Sequence, residues 1–515
     1  MALHYSSIFR ILFVLGGVGI LYLVGLGIYN LYFHPLSKFP GPHLWAVSRL
    51  PYVRSLVSGR LHLRVTELHE KYGTIVRTAP NELSFIEAPV WHTIYAGQAG
   101  NKGFQKNLII SGAQGYHSLI TTNDTDHTRL RKLLSSSFSA RALARQERLF
   151  QDYISRFIGV LRRRALAEGG EKRKDHGGET VVNIVEWFNF FTFDLTGHLT
   201  FSESFGCLEE EAYTPWIQMI FGHLRASALM ISLRFYSPLD QILEAVARRL
   251  LKKWMALKDA FLDLSLQKVH RRLAKKEVPV PDFTSSLLEK TADGGATFEE
   301  ISGTTTFLII AGSETGATVL GGGMGYLAKS PHAMQRLREE MARFKHEEEI
   351  TLKSIEPLPY LTAVINEALR LCTPLPSGLT RIVPKGGAVI AGRHVPEGTF
   401  VGVSQYAAYR SPLNFTKPNA FHPERWLPSE ASNSEFANDQ LSVMQPFFVG
   451  NRGCLGQNIA WAEMRLLLAR MVWNFDIEKV DDERTVDWDS QESFYLWQKE
   501  SCEVRLRAWE RAGIV

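Results

Sequence analysis

The chain has little cysteine and little net charge for its length. Its 515 residues include four cysteines, Cys207, Cys372, Cys454 and Cys502, and no CxxC pair. This spacing excludes a disulfide scaffold and a zinc ribbon, and it suits a reducing compartment. The 58 basic and 53 acidic residues leave a net charge of +5, which is small for a nucleic-acid binder. We therefore expect no nucleic-acid partner.

Internal repeats, long low-complexity tracts and flexible linkers are also missing from the body of the chain. With 45% hydrophobic and 22% charged residues, the composition is that of a globular protein. Apolar residues recur at three- and four-residue spacing over Tyr360–Leu371 and Ile459–Phe475, which predicts helices. Strand patterns are fewer, and Thr74–Thr78 with Leu83–Ile86 predicts a hairpin. We expect a single domain over 43–515, mainly α with small β-sheets.

The N-terminal region departs from this globular pattern. No charged residue occurs from Ile11 to Phe33, and about 23 residues at about 1.5 Å each give roughly 34 Å, enough to cross a bilayer core. A secretory signal peptide is the alternative, but its apolar core would be shorter and would end at a small-residue cleavage site. We expect a membrane anchor over 1–33 and a Pro-rich spacer over 34–42. Basic residues follow the span, which places the C-terminal body in the cytoplasm.

A glycine-rich loop around one cysteine is the strongest functional signal. Phe447, Gly450, Arg452, Cys454 and Gly456 are followed directly by a predicted helix. The glycines let the loop approach a flat ligand closely, and a cysteine at the start of a helix is favoured as a thiolate. A thiolate is a good axial ligand for haem iron. The alternative for any single cysteine is a small buried hydrophobic residue.

This string, F-x-x-G-x-R-x-C-x-G, resembles the haem-binding loop of the cytochrome P450 superfamily of haem-thiolate monooxygenases. The resemblance implies the cytochrome P450 fold, preceded here by an N-terminal transmembrane helix, and haem b as the cofactor. It implies that Cys454 is the proximal iron ligand. By the same resemblance Phe447 shields the sulfur, Arg452 pairs with a haem propionate, and Gly456 completes the cofactor-binding loop.

Three further basic residues match propionate contacts of that superfamily. His127 and Arg131 lie four residues apart, on one face of a predicted helix. They occupy the place of a Trp-x-x-x-Arg pair, and His127 can donate a hydrogen bond from its ring in place of the tryptophan. Arg381 matches another propionate arginine.

A long apolar helix predicted over Phe298–Ser330 contains two polar residues, Glu314 and Thr315. Such residues are poorly placed in a purely structural core, and their surroundings resemble the superfamily's oxygen-activation motif. The resemblance implies that Thr315 hydrogen-bonds dioxygen or a water and that Glu314 helps to relay protons. The alternative is a threonine hydroxyl bonded to its own helix. Gly316 stands where the family commonly has a hydroxyl.

A Glu–Arg–Arg cluster is expected behind the haem-binding loop. Glu367 and Arg370 lie at i and i+3, so they share one helical face. The resemblance supplies Arg425 as the third member and implies a structural role. Trp426 replaces the usual phenylalanine of that motif, a change that we expect to affect packing only.

The resemblance is strongest to membrane-anchored members of fungal secondary metabolism. It implies insertion of one oxygen atom from dioxygen, by hydroxylation or epoxidation, into a lipophilic polyketide or terpenoid intermediate of the mycotoxin type. Electrons would come from NADPH through a separate NADPH–cytochrome P450 reductase that docks on Arg131, Lys132 and Arg465. We expect a single-pass protein of the endoplasmic reticulum membrane that contacts lipid, with its catalytic domain in the cytoplasm. The candidate substrate-pocket residues are Phe307, Leu308, Ala311, Ser377, Leu379, Phe494 and Tyr495.

Two other functions fit parts of the same pattern. A haem-thiolate isomerase or dehydratase would act on a peroxide without a reductase, but it needs no proton relay at Thr315. A non-catalytic haem sensor would need neither Glu314 nor Thr315. The monooxygenase interpretation accounts for both residues.

Overall fold

The computed structural model describes residues 2–96, 103–111, 117–168, 178–275, 278–289, 294–480 and 488–509. The chain is mostly helical, with small sheets, as the sequence predicts. The α-helices are α1 Ala2–Ile28, α2 His43–Val47, α3 Leu50–Val57, α4 Leu61–Tyr72, α5 Leu108–Ser111, α6 Asp124–Ser135, α7 Ala140–Glu168, α8 Ile184–Phe201, α9 Cys207–Glu210, α10 Pro215–Arg234, α11 Asp240–Leu250, α12 Lys252–Ala274, α13 Phe283–Leu288, α14 Phe298–Ala328, α15 Pro331–Met341, α16 Leu352–Ile355, α17 Pro359–Leu371, α18 Gln405–Tyr409, α19 Pro428–Ala431 and α20 Gln457–Asn474.

The strands are short and form four sheets within the described residues. They are β1 Ile75–Ala79, β2 Glu82–Phe85, β3 Gln105–Lys106, β4 Glu179–Asn183, β5 Arg381–Ile382, β6 Ala388–Ile390, β7 Arg393–Val395, β8 Phe400–Val403, β9 Phe475–Lys479, β10 Glu492–Phe494, β11 Leu496–Gln498 and β12 Glu503–Ala508. π-Helical turns cover Tyr29–Phe33 and His92–Ala96, and 3₁₀ turns cover Glu347–Glu349, Pro423–Trp426, Leu441–Val443 and Trp488–Ser490.

The largest sheet has five strands in the order β1-β2-β8-β5-β3. Strands β1 and β2 form the predicted antiparallel hairpin, with Ile75 opposite Phe85, and β2 then pairs in parallel with β8. At the other edge β3 pairs antiparallel with β5, so that Lys106 lies opposite Arg381. This register brings two cations from distant parts of the sequence side by side. The other sheets are β4-β12-β9, β6-β7 and β10-β11.

Helix α14 runs through the middle of the helical part. A reciprocal pair of hydrogen bonds starts it: the amide of Glu300 donates to the Thr297 hydroxyl, and the amide of Thr297 donates to the Glu300 carboxylate. The helix packs against α8 on one side and α17 on the other. A helix that is apolar all round is expected to be buried, and most of α14 is. The predicted helix over Phe298–Ser330 is therefore confirmed, ending at Ala328.

The N-terminal helix α1 leads into the π-helical turn that ends at Phe33. The segment Phe13–Phe33 is long and apolar enough to cross a membrane, and most of its large apolar side chains are exposed. The Pro-rich segment after it packs onto the body, because Leu36 is fully buried and Pro40 accepts a hydrogen bond of 2.7 Å from the amide of Arg77. Arg77 also donates to the carbonyl of Asn30. The end of the helix is thus fixed against β1.

The Glu–Arg–Arg cluster is assembled as predicted, with all three side chains fully buried. Arg370 makes a two-pronged ion pair with Glu367, at 2.8 and 2.7 Å, and Arg425 reaches the same carboxylate at 3.2 Å. Arg370 also donates to the carbonyl of Tyr409. The Tyr409 hydroxyl in turn accepts from the amide of Gln445, two residues before Phe447. The cluster therefore supports the loop that carries Cys454.

Trp426 does more than fill space, contrary to the sequence-based expectation. Its indole N–H donates to the Glu367 carboxylate at 2.9 Å, and the amide of His422 donates to the same carboxylate at 2.9 Å. A phenylalanine at residue 426 has no donor to make this contact. The carboxylate thus receives two neutral donors in addition to the two guanidinium groups.

Replacing Glu367 should destabilise the fold strongly. In Glu367→Ala two buried guanidinium groups lose their shared counter-charge, and breaking a buried pair in this way costs about 3–5 kcal/mol. Glu67→Ala is the matched control, because Glu67 and Arg64 form an i, i+3 pair whose side chains are more than half exposed; we expect less than about 1 kcal/mol there. Urea unfolding of both variants measures the difference. Equal losses would show that the cluster does not support the fold.

Candidate active site

The loop that carries Cys454 is held in place by its own backbone and by a helix. The amide of Cys454 donates to the carbonyl of Phe447 at 2.7 Å, and the amide of Gly453 donates to Gly450 at 2.9 Å. Gly450 has φ of +79°, and a Cβ there would come within 2.5 Å of the carbonyl oxygen of Tyr95. Only glycine permits both the turn and this close approach. Arg131 of α6 donates to the carbonyl of Gly453 at 2.8 Å.

The thiol of Cys454 is accessible to solvent although protein atoms surround it. The residue is exposed, yet burial among the surrounding protein atoms raises the pKa of its thiol, while the amide of Gly456 and the charge of Arg131 act to lower that pKa. The expectation that a helix start favours the thiolate needs correction. Helix α20 begins at Gln457, so Cys454 precedes it and only the Gly456 amide reaches the sulfur. A bound metal ion is what deprotonates such a thiol.

The predicted basic residues converge beside this loop. Arg452 binds Asp124 at the start of α6, with its Nη2 at 2.6 Å from the carboxylate, and its buried Nη1 has no hydrogen-bond partner among the described residues. His127 is buried on α6, and burial together with the charges of Arg452, Lys106 and Arg131 lowers its pKa to about 3. Arg381 is also buried and stacks over a tyrosine ring.

Sequence reasoning missed one member of this group, Lys106. It lies on β3 opposite Arg381 and donates to the carbonyl of Ile120 at 2.5 Å. Burial, then the charges of Arg452 and Arg381, lower the pKa of Lys106 to about 6. A two-residue strand gives no sequence pattern, and only the sheet register reveals the neighbour.

The residues present fit haem b. Burial and the charges of neighbouring basic residues lower the pKa values of Lys106, His127 and Arg381, and Arg452 leaves one buried N–H group without a partner among the described residues. The carboxylate of Asp124 acts to raise the same three pKa values. Buried cations need anions within hydrogen-bond reach. The two propionates of haem supply such anions, and Cys454 supplies the axial thiolate.

Helix α14 carries the predicted oxygen-activation residues. Gly312 is exposed although it lies in mid-helix, and Ala311 and Thr315 beside it are half-buried. The helix is continuous through Gly312. The Thr315 hydroxyl donates to the carbonyl of Ala311 at 2.6 Å, which is the alternative that the sequence left open. The hydroxyl oxygen still has lone pairs that can accept a hydrogen bond from another donor.

Glu314 forms an ion pair with Lys499, a partner that sequence reasoning did not find. Lys499, which follows β11, lies with its Nζ 2.7 Å from the Glu314 carboxylate and 2.7 Å from the side-chain oxygen of Asn189 on α8. Both side chains of the ion pair are at most 2% exposed. The second carboxylate oxygen of Glu314 is buried without a hydrogen-bond partner among the described residues. Glu314 is thus tied to the C-terminal region.

The candidate substrate-pocket residues do not form one cluster. Phe307 and Ala311 are half-buried one turn apart on α14, whereas Leu308 belongs to the main hydrophobic core. Phe494 is buried in a separate cluster with α3 and α4, where Tyr495 packs beside it. Ser377 lines a small cavity between α4 and the five-stranded sheet, and half-buried Leu379 accepts a hydrogen bond from Tyr95.

Comparison with known proteins agrees with this geometry. The family model described as Cytochrome P450 matches residues 39–503. Cytochrome P450 monooxygenase astJ of Aspergillus oryzae is 42% identical over 484 residues, which cover 93% of each chain. Cytochrome P450 monooxygenase astA of Talaromyces wortmannii is 38% identical, covering 98% of each chain. Averantin hydroxylase of Dothistroma septosporum is 37% identical, covering 96% of this chain and 92% of its own.

The match covers the Cys454 loop, α14, the Glu367 cluster and each of the converging basic residues. Haem b is the cofactor of this family, and a redox partner supplies its electrons. The chain therefore belongs to the cytochrome P450 family of haem-thiolate monooxygenases.

Proposed function

We propose that the protein inserts one oxygen atom of dioxygen into a lipophilic polyketide or terpenoid intermediate of fungal secondary metabolism. The observations that carry this proposal are the exposed Cys454 thiol and, on α14, the exposed Gly312 beside half-buried Thr315; we place the haem cavity between them. The candidate pocket residues are mainly apolar, which suits a lipophilic substrate. The similar proteins come from fungi, and one is named for a hydroxylation.

Different side chains are assigned to the iron, to the cysteine loop and to the propionates of the cofactor. Haem b, bound through the Cys454 thiolate, supplies the activation of dioxygen, which electron donation from the sulfur favours. Arg131 fixes the loop through Gly453, and Phe447, which packs against Trp461, is assigned to shield the sulfur. His127, Arg381 and Arg452 are assigned to the propionates, together with Lys106.

Proton delivery is assigned to α14. The Thr315 hydroxyl holds a donor or a water on the cavity side, and Glu314 relays protons to it from solvent. Because Glu314 is paired with Lys499, it must exchange that partner to take part. This role distinguishes a monooxygenase from an isomerase, which has no use for protons delivered at this position.

We place the protein at the endoplasmic reticulum membrane, spanning it once through Phe13–Phe33, with the catalytic domain in the cytoplasm. The apolar length and the basic residues that follow it support this orientation. NADPH–cytochrome P450 reductase is the proposed electron donor. Lys132 is exposed on α6, which suits docking of the reductase. Arg131 and Arg465 are half-buried and contribute positive charge beneath the same surface.

Cys454→Ser should abolish thiolate ligation and leave most of the fold intact, because serine fills nearly the same volume. The reduced carbon monoxide complex should lose its strongly red-shifted Soret band. Cys502→Ser is the control, since Cys502 is buried next to β12 and should not alter the spectrum. A mutant at Cys454 that kept the band would show that another residue binds the iron.

Thr315→Ala should uncouple NADPH oxidation from product formation. The change removes the hydroxyl oxygen whose lone pairs can accept from a further donor, and a preorganised hydrogen-bonding group of this kind is worth about a hundredfold in rate. Product formed per NADPH should fall and peroxide should rise, while haem binding and reduction continue. Thr305→Ala is the control, because Thr305 bonds to its own helix in the same way but is fully buried. Equal ratios in the wild type and in Thr315→Ala would favour the isomerase.

Deletion of residues 1–33 should release the protein partly from membranes without changing the haem spectrum. The span lies outside the haem cavity, although its last turn contacts Arg77 through Asn30. Leu23→Arg keeps that contact and costs roughly 2.5–3.5 kcal/mol of insertion free energy at mid-membrane. Membrane flotation and absorption spectra measure both variants. Loss of haem from Leu23→Arg would contradict an anchor separate from the haem domain.

A further inference from the structure

The carboxylate of Asp124 lies among the basic side chains beside the cysteine loop, and the proposed mechanism gives it no role. Asp124 is the first residue of α6. The cap of this helix is formed by Asn123, whose side-chain oxygen accepts hydrogen bonds from the amides of Thr125 and Asp126. The cap is therefore complete without the Asp124 carboxylate, which binds the cysteine loop instead.

This carboxylate binds one edge of the Arg452 guanidinium group. Oδ1 of Asp124 accepts from Nε of Arg452 at 3.1 Å and from Nη2 at 2.6 Å. The third nitrogen, Nη1, is buried and has no hydrogen-bond partner among the described residues. Because the guanidinium group is planar and rigid, the two bonds to Asp124 also fix the direction of the N–H groups of Nη1.

The unpaired N–H groups of Nη1 need an acceptor. A buried donor without a partner costs free energy, and the cost is larger for a charged group. A carboxylate is a strong partner for an arginine, and the propionates of haem b, to which Arg452 is assigned, are carboxylates. Asp124 also lies within electrostatic reach of other members of the propionate-binding group, since it acts to raise the pKa values of Lys106, His127 and Arg381.

We propose that Asp124 is a positioning residue, which holds Arg452 so that Nη1 can donate to a haem propionate. This inference rests on the assignment of Arg452 to the propionates under the proposed function. Asp124 acts through Arg452 and takes no part in oxygen transfer. Arg452 then lies between two carboxylates, and the loop that carries Cys454 is tied both to α6 and to the cofactor.

Asp124→Asn tests this role with little change of shape, since the side chain is 38% exposed and the amide fills nearly the same volume. The amide carries no charge, so it holds the guanidinium group less firmly. Haem should therefore pass from the full-length holoenzyme to excess apomyoglobin about tenfold faster. Asp126→Asn is the matched control, because Asp126 also lies in the first turn of α6 but its carboxylate contacts Asn123 and Arg129; its rate should match that of the wild type.

Resonance Raman spectroscopy gives a second readout, which a purely structural role would not change. The propionate bending band reports hydrogen bonds to these groups, so it should shift in Asp124→Asn and stay in place in Asp126→Asn. The reduced carbon monoxide complex should keep its red-shifted Soret band in both variants, because Cys454 is untouched. A propionate band that does not move in Asp124→Asn would contradict the proposed role.

A double-mutant cycle shows whether Asp124 acts through Arg452. Arg452→Ala should release haem faster than the wild type, and adding Asp124→Asn to it should change the rate no further. Wild-type haem transfer in either single variant, or an equal acceleration by Asp124→Asn with and without Arg452, would overturn the inference. None of these rates depends on turnover, so a failure of the monooxygenase function would be seen separately, as product without labelled oxygen.

Discussion

The crowding of basic side chains into one buried place is the constraint on which the haem-binding side of the molecule depends. Strand β3 brings Lys106, β5 brings Arg381, α6 brings His127 and Arg131, and the cysteine loop brings Arg452. Burial and the neighbouring charges lower the pKa values of Lys106 and His127, although Asp124 acts to raise both. A dianionic ligand favours the charged forms of these side chains and relieves their mutual repulsion. Haem binding is therefore coupled to the stability of the elements around it.

A second set of buried charges has the opposite character, since it is fully paired. Glu367 receives two guanidinium groups and two neutral donors, all at 3.2 Å or less. This cluster is complete without any cofactor and leads through Tyr409 to the segment before Phe447. The loop that presents Cys454 thus has the rigid Glu367 cluster behind it and crowded basic side chains beside it. The rigid cluster determines where the ligand binds, and the basic side chains require the ligand to carry anionic groups.

Much of this arrangement could be predicted from the sequence because it is local. The cysteine loop, the His127–Arg131 pair and the long helix α14 are patterns within a few turns of chain, and each was found. Lys106 and Lys499 were missed because a sheet register or the packing of α14 against distant elements brings them to the site. The role of Trp426 as a donor and the raised pKa of Cys454 likewise depend on surroundings that spacing does not reveal.

The central claim is that the protein transfers one atom of dioxygen to its product. Turnover under isotopically labelled dioxygen, with NADPH and its reductase, tests this claim most directly across a panel of lipophilic polyketides and terpenoids. Mass spectrometry of the product should show one labelled oxygen atom for each hydroxyl or epoxide formed, with the second atom recovered in water. A product that gains no label, or that forms without NADPH, would contradict the account.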